Sequence, residues 1–105
     1  MNQEDRRVLE QFAARVRHYH PKASIWAFGS RVRDEAAPES DLDICVVINE
    51  LDQKADRLLL DIAWEIGFES DIVISVIHFS VNEFNTGPLS VSPLVQIIKQ
   101  EGVAA

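Results

Sequence analysis

The sequence predicts an α/β domain: a mixed sheet of three or more strands with its helices packed on one face. Three observations carry that prediction. Residues 3–20 and 51–66 place apolar side chains at helical spacing. Between and after them lie short apolar runs rich in β-branched residues, as expected of buried strands. A strand, the second long helix and another strand follow one another, which makes a crossover unit with its two strands parallel. At 105 residues the chain reads as one domain, residues 1–105. It can hold a single core, but it is small for an enzyme that must also enclose a substrate.

In the first helix Val8, Leu9, Phe12, Ala13, Val16 and Tyr19 share one face. Asn2 with Asp5 signals its start and Pro21 its end. His18 and His20 stand near its C-terminus, where the helix dipole favours cations, and no Cys or other His stands at ligand spacing beside them. Ala23 to Phe28 forms the first strand, with Trp26 a core or partner-facing aromatic. Gly29-Ser30 ends it. Ala36 to Ser40 forms a loop, and Asp41-Leu42-Asp43 opens a second apolar run that reaches Ile48.

The second long helix spans Leu51 to Ile66. Leu51, Ala55, Leu58, Leu59, Ile62 and Ile66 turn inward, Asp52, Asp56, Asp61 and Glu65 turn to water, and Gly67 stands at the expected C-cap. The next strand runs from Asp71 to Phe79, with Asp71 near its beginning and Ser75 on the same face. Ser80-Val81-Asn82-Glu83 matches a capping box and starts a short helix. Asn85-Thr86-Gly87-Pro88 breaks the chain. Ser92-Pro93 opens a last helix, Pro93 to Glu101, closed by Gly102. Leu94, Val95, Ile97 and Ile98 are dense for so short a helix, so part of that surface is expected to cover a partner.

The net charge of −7, with few and scattered basic residues, disfavours binding of a long nucleic acid. It remains compatible with a Mg²⁺-nucleotide and suits a basic protein partner. No run of about 18 apolar residues predicts a membrane span. The polar N-terminus lacks a signal-peptide core, so a cytoplasmic location is expected. Cys45 lies in a strand pattern and reads as a buried structural thiol. Self-association is left open.

The chemistry concentrates in Gly29 to Val47. Strand alternation turns Asp41 and Asp43 to the same face and Leu42 to the other. Two carboxylates side by side repel unless a positive charge sits between them. Oxygen-only ligands suit a hard cation, and Mg²⁺ takes one or two carboxylates plus substrate phosphates. Gly29 lets a phosphate approach the backbone, and Ser30 can cap a following helical turn whose free N–H groups favour an anion. Arg31 is either a phosphate contact or a solvated arginine.

Gly-Ser, ten residues, then Asp-x-Asp at the head of an apolar strand resembles the signature of the polymerase-β-like nucleotidyltransferases. Within that superfamily the chain is similar to the minimal nucleotidyltransferases of bacteria and archaea, domains of this size often paired with a HEPN protein. The motif rests on Gly29, Ser30, Asp41 and Asp43. A glycine usual in the family near position 34 is Asp34 here.

The resemblance implies transfer of a nucleoside monophosphate, with AMP favoured, from ATP or another triphosphate to a hydroxyl. Two Mg²⁺ ions would be held by Asp41 and Asp43, and the triphosphate by Gly29, Ser30 and Arg31. It also implies a third carboxylate on the following strand, as metal ligand or base. Asp71 is the candidate, against the alternative of a surface acid at a strand end. The implied acceptor is a partner protein, a HEPN toxin silenced by this chain as its antitoxin. A non-catalytic antitoxin or scaffold with the same fold is the competing expectation.

Overall fold

The computed structural model describes residues 1–35, 37, 39–49 and 52–105. Helix α1 (Gln3–Tyr19) opens on Asn2, whose side chain accepts the Asp5 N–H, as the sequence signals. Its buried stripe is Val8, Leu9, Phe12, Ala13 and Val16, while Tyr19 stays exposed. Strand β1 (Ser24–Phe28) pairs antiparallel with β2 (Leu42–Ile48), and β2 pairs parallel with β3 (Ile74–Ser80). Helix α2 (Gln53–Ser70) makes the crossover between β2 and β3. A short β4 (Val103–Ala104) joins β1 antiparallel, so the sheet order is β3-β2-β1-β4. The mixed α/β sheet is the one expected.

Helix α2 corrects two boundaries. It starts on Asp52, which accepts the Ala55 N–H, and runs through Gly67 to Ser70. Gly67 is not the cap. It is buried within the helix, and a Cβ there would stand 2.5 Å from the Ile72 carbonyl oxygen, so its smallness lets the departing chain cross close by. The stop is Asp71, in left-handed conformation at φ 55, whose N–H reaches the Gly67 and Phe68 carbonyls. Strand β3 therefore begins at Ile74, three residues beyond Asp71. Leu51, predicted to start this helix, lies outside the described residues, as do Ala36 and Pro38 of the preceding loop. Asp56, expected on the wet face, hydrogen-bonds His78 Nε2 and ties α2 to the edge strand.

Alternation along the strands divides the core. Ile25, Ala27, Leu42, Ile44, Val46 and Ile48 face α1 and α2. Cys45 and Val47, with Trp26, Phe28, Ile77 and Phe79, face the other way. There α3 (Val81–Asn85) and α4 (Pro93–Glu101) supply Phe84, Val95 and Ile98. The two long helices share one face as expected, but the two short ones cover part of the opposite face. Residues Ile44 to Ile48 are apolar without alternation, and a strand buried on both sides needs cover on both.

Trp26 stacks on Phe84 at 5.2 Å, which makes it a core aromatic. Burial pushes the Cys45 thiol up to about 12, so it is an inert structural thiol. The predicted capping box at Ser80 and Glu83 is present, and Ser92 with Pro93 opens α4. Among the described residues no helix is long and apolar enough to cross a membrane.

Candidate active site

The site begins where β1 ends. Gly29 follows Phe28 with φ +85, and a Cβ on it would stand 2.5 Å from Asp43 Oδ2. Only glycine combines that backbone with so close a carboxylate. The register explains the approach. Phe28 pairs with Asp43 across β1 and β2, and Asp43 pairs with Ser75 across β2 and β3. Phe28, Asp43 and Ser75 thus form one row at one end of the sheet, on the face opposite the long helices. Leu42 points into the larger core.

Asp41 stands exposed just before β2, and Asp43 is half-buried. Burial first, and the neighbouring Asp41 charge second, push the Asp43 carboxyl above its usual range. The two carboxylates therefore feel each other across the start of β2, as their spacing implies. Oxygen donors under mutual repulsion fit a hard divalent cation such as Mg²⁺, which would stabilise both ionised carboxylates.

Beyond Gly29 the chain makes a tight helical turn. The N–H groups of Val32 and Arg33 donate to the Gly29 carbonyl, and Glu35 N–H donates to the Ser30 carbonyl. Ser30 begins this turn and Asp34 ends it in left-handed conformation at φ 57. Asp34 thus adopts the backbone a glycine would offer, which a short polar side chain tolerates better than most.

Arg31 is neither a solvated arginine nor open to a phosphate through its whole fork. Its guanidinium pairs with Asp5 Oδ1 at 2.9 Å, and its Nε donates to the Ser40 carbonyl at 2.7 Å. Both side chains are mostly buried. The pair ties α1 and the turn to the residue before Asp41. Asp5 was legible in one respect, since it lies on the inward stripe of α1 with Val8, Leu9 and Phe12, where an acid needs a partner.

Asp71 sits apart from this row. It is exposed at the end of α2 and lines two clefts on the side of the long helices, one of about 450 Å³ and one of about 860 Å³. Ser75, not Asp71, is the β3 residue across from Asp43. Among the described residues no group of three or more His, Cys, Asp or Glu side chains could hold a metal ion.

Residues 9–104 match the family described as nucleotidyltransferase domain. The chain belongs to that family. A search of the curated proteins finds none that matches. Among solved structures, this nucleotidyltransferase is similar to a crystal structure of a toxin-antitoxin with AMP-PNP, at TM-score 0.63 and 20% identity over 98% of this chain and 72% of that one. It is also similar to a mutant of the toxin-antitoxin MntA-HpeT carrying two aspartate-to-glutamate changes two positions apart. The TM-score there is 0.61 and the identity 18%, over 99% of this chain and 72% of that one. These likenesses show a shared fold.

Proposed function

We propose that this nucleotidyltransferase transfers a nucleoside monophosphate, AMP, from a Mg²⁺-triphosphate to a hydroxyl of a partner protein, and that the partner is a HEPN toxin of which this chain is the antitoxin. The observation that carries the reading is Gly29 pressed against the Asp43 carboxylate, with Asp41 beside it. The structural neighbours support it. Both are toxin-antitoxins, one is bound to AMP-PNP, and the substituted aspartates of the other have the spacing of Asp41 and Asp43.

Asp41 and Asp43 would hold Mg²⁺, as two ions with triphosphate oxygens completing the ligands. Bound there, Mg²⁺ supplies charge stabilisation for the attacking and leaving oxygens. The Gly29-Ser30 backbone would receive the triphosphate, while the missing Cβ leaves room for the Asp43 carboxylate beside it. The acceptor hydroxyl forms a bond to the α-phosphorus, the bridging bond to the β-phosphate breaks, and pyrophosphate leaves with that electron pair. The hydroxyl proton goes to a carboxylate or to water. Asp71 stays in the reading as the candidate third acid, tested by Asp71→Asn. Arg31 orders the loop before Asp41 and stands next to the triphosphate turn.

Calorimetry with ATP, with and without Mg²⁺, tests the site. Binding that requires Mg²⁺ and is lost in Asp43→Asn is expected, and equal affinity in EDTA would sink the metal reading. Co-expression with a HEPN partner followed by intact-mass analysis tests the acceptor, with a gain of one or more AMP units expected. A second reading, a binding-only antitoxin, is favoured by Ser75 standing where a third carboxylate would complete the set. A tight complex with an unmodified partner would select it.

A further inference from the structure

Helix α2 is apolar on two faces. Leu59, Ile62, Ala63 and Ile66 pack against the sheet. On the outer side Leu60, Trp64 and Phe68 recur at four-residue spacing, 53%, 71% and 77% exposed. Trp64 and Phe68 stack in water, ring centres 5.5 Å apart and planes within 7°. Val73, 63% exposed, continues the strip toward β3. These four line the 860 Å³ groove, whose far wall is Arg31, Glu39 and Ser40. Two stacked aromatics left in water on a domain this small mark an interaction surface.

Charge selects the occupant. The groove is lined by the exposed acids Glu39 and Asp71; Asp61 is exposed on α2 next to Leu60 in sequence, and Glu65 and Glu69 face Arg15 of α1. Arg57 contributes a cation on the same strip. A second copy docking face to face would set this acidic border against itself, on chains that each carry a net charge of −7. A partner with an apolar strip bordered by lysine and arginine would meet both features. Position adds a functional reason. The groove ends at Glu39 and Ser40, the two residues before Asp41, so its occupant touches the segment that leads into the carboxylate pair.

We infer that the outer face of α2, built on Leu60, Trp64, Phe68 and Val73, is where the partner protein docks, through an amphipathic helix with an apolar strip and basic borders. This rests on the partner reading above and moves the docking face from the last helix, where the sequence placed it, to the crossover helix. In α4 Val95 and Ile98 are buried, and Leu94 and Ile97 are 41% and 40% exposed, less than any of Leu60, Trp64 and Phe68.

The test uses the full chain and a synthetic amphipathic Leu/Lys helical peptide, with a scrambled peptide of the same composition and a Leu/Glu counterpart as controls. Trp64 fluorescence and calorimetry report binding, and sedimentation velocity reports self-association. The expected result is a blue shift with Leu/Lys alone, and a calorimetric affinity weakened about tenfold or more by Trp64→Ser or Phe68→Ser and less by Glu39→Gln with Asp61→Asn. Both aromatics are exposed, so unchanged circular dichroism should accompany the loss. Equal binding of the scrambled peptide, or binding indifferent to Trp64→Ser, would overturn the proposal. So would a dimer of this chain that Trp64→Ser dissolves. Peptide binding needs no nucleotide, so retention in Asp43→Asn separates this proposal from the catalytic one. Failure of Mg²⁺-ATP binding alone would count against the catalytic reading only.

Discussion

Replacing Gly29 by alanine perturbs the candidate site through its backbone. Two costs arise and they fall on different observables. Alanine at φ +85 is strained in any surroundings, by roughly 1–2 kcal/mol. The added methyl would also stand 2.5 Å from Asp43 Oδ2, well inside ordinary contact. Asp43 is half-buried, so its carboxylate can swing toward solvent instead of forcing the strands apart. The stability loss should therefore stay near the backbone cost, a fall in Tm of about 4–16 °C for a domain of this size.

Binding should suffer more than stability. A displaced Asp43 carboxylate leaves its place beside Asp41, where the pair would hold the Mg²⁺ that accompanies the triphosphate. Mg²⁺-ATP affinity should drop about a hundredfold, on the order of 3 kcal/mol. Thermal melts and calorimetry on Gly29→Ala measure the two effects separately. Gly29→Asn sharpens the comparison, because asparagine tolerates a left-handed backbone yet keeps the clash. It should recover part of the stability and none of the affinity. Native affinity in either variant would refute the claim that this glycine is there to make room beside Asp43.

Two further predictions follow from the same end of the sheet. Arg31→Met should destabilise the protein by about 3 kcal/mol, since it strands a buried Asp5 carboxylate and the Ser40 carbonyl. Chemical denaturation measures it, and Asp5→Leu combined with Arg31→Met should restore most of the loss; a loss under about 0.5 kcal/mol would show that the pair holds nothing. Asp43 binds its proton more tightly when folded than unfolded, so its contribution to stability is full below the usual carboxylate pKa and is lost as pH rises through the raised folded value. Asp43→Asn should thus gain on the native protein between about pH 3 and neutrality in EDTA, and an advantage independent of pH would contradict the assigned shift.

Periodicity carried most of the fold. The two long helices, three of the four strands, the Ser80 capping box and the Ser92-Pro93 helix start all follow from local patterns. The boundaries that failed depend on tertiary contact. Gly67 looks like a helix stop, but it is small because Ile72 crosses it, and the left-handed stop fell to an aspartate. That shift moved Asp71 off β3 and brought Ser75 opposite Asp43. Strand β4 has two residues, too few for any period to show, and exists because β1 offers an edge. At the site, the Gly29, Asp41 and Asp43 grouping was legible from spacing. Arg31 was not, because its partners Asp5 and Ser40 come from other elements. Leu60, Trp64 and Phe68 recur at four-residue spacing, but one helix then carries two apolar stripes, and periodicity alone does not say which of them faces the sheet.

The two faces of the sheet are covered differently, and the chain between residues 29 and 41 runs from one strand of it to the next. One face is closed by α1 and α2, and its outer helix carries the aromatic groove. The other is covered only in part by α3 and α4, which leaves Asp43 half-buried at the sheet end. Ser40 belongs to both: it lines the groove and is followed at once by Asp41. Arg31 holds its carbonyl while anchored on Asp5 of α1. A body that loads the groove therefore presses on the backbone that positions Asp41, two residues from the carboxylate against Gly29. Docking and metal binding would be coupled through a contact of 2.7 Å rather than through a long path. By linkage, Mg²⁺-ATP should then change the affinity for the Leu/Lys peptide by the same factor as the peptide changes the affinity for Mg²⁺-ATP. Arg31→Met should bring both factors to one, and coupling that survived it would have to run through another contact.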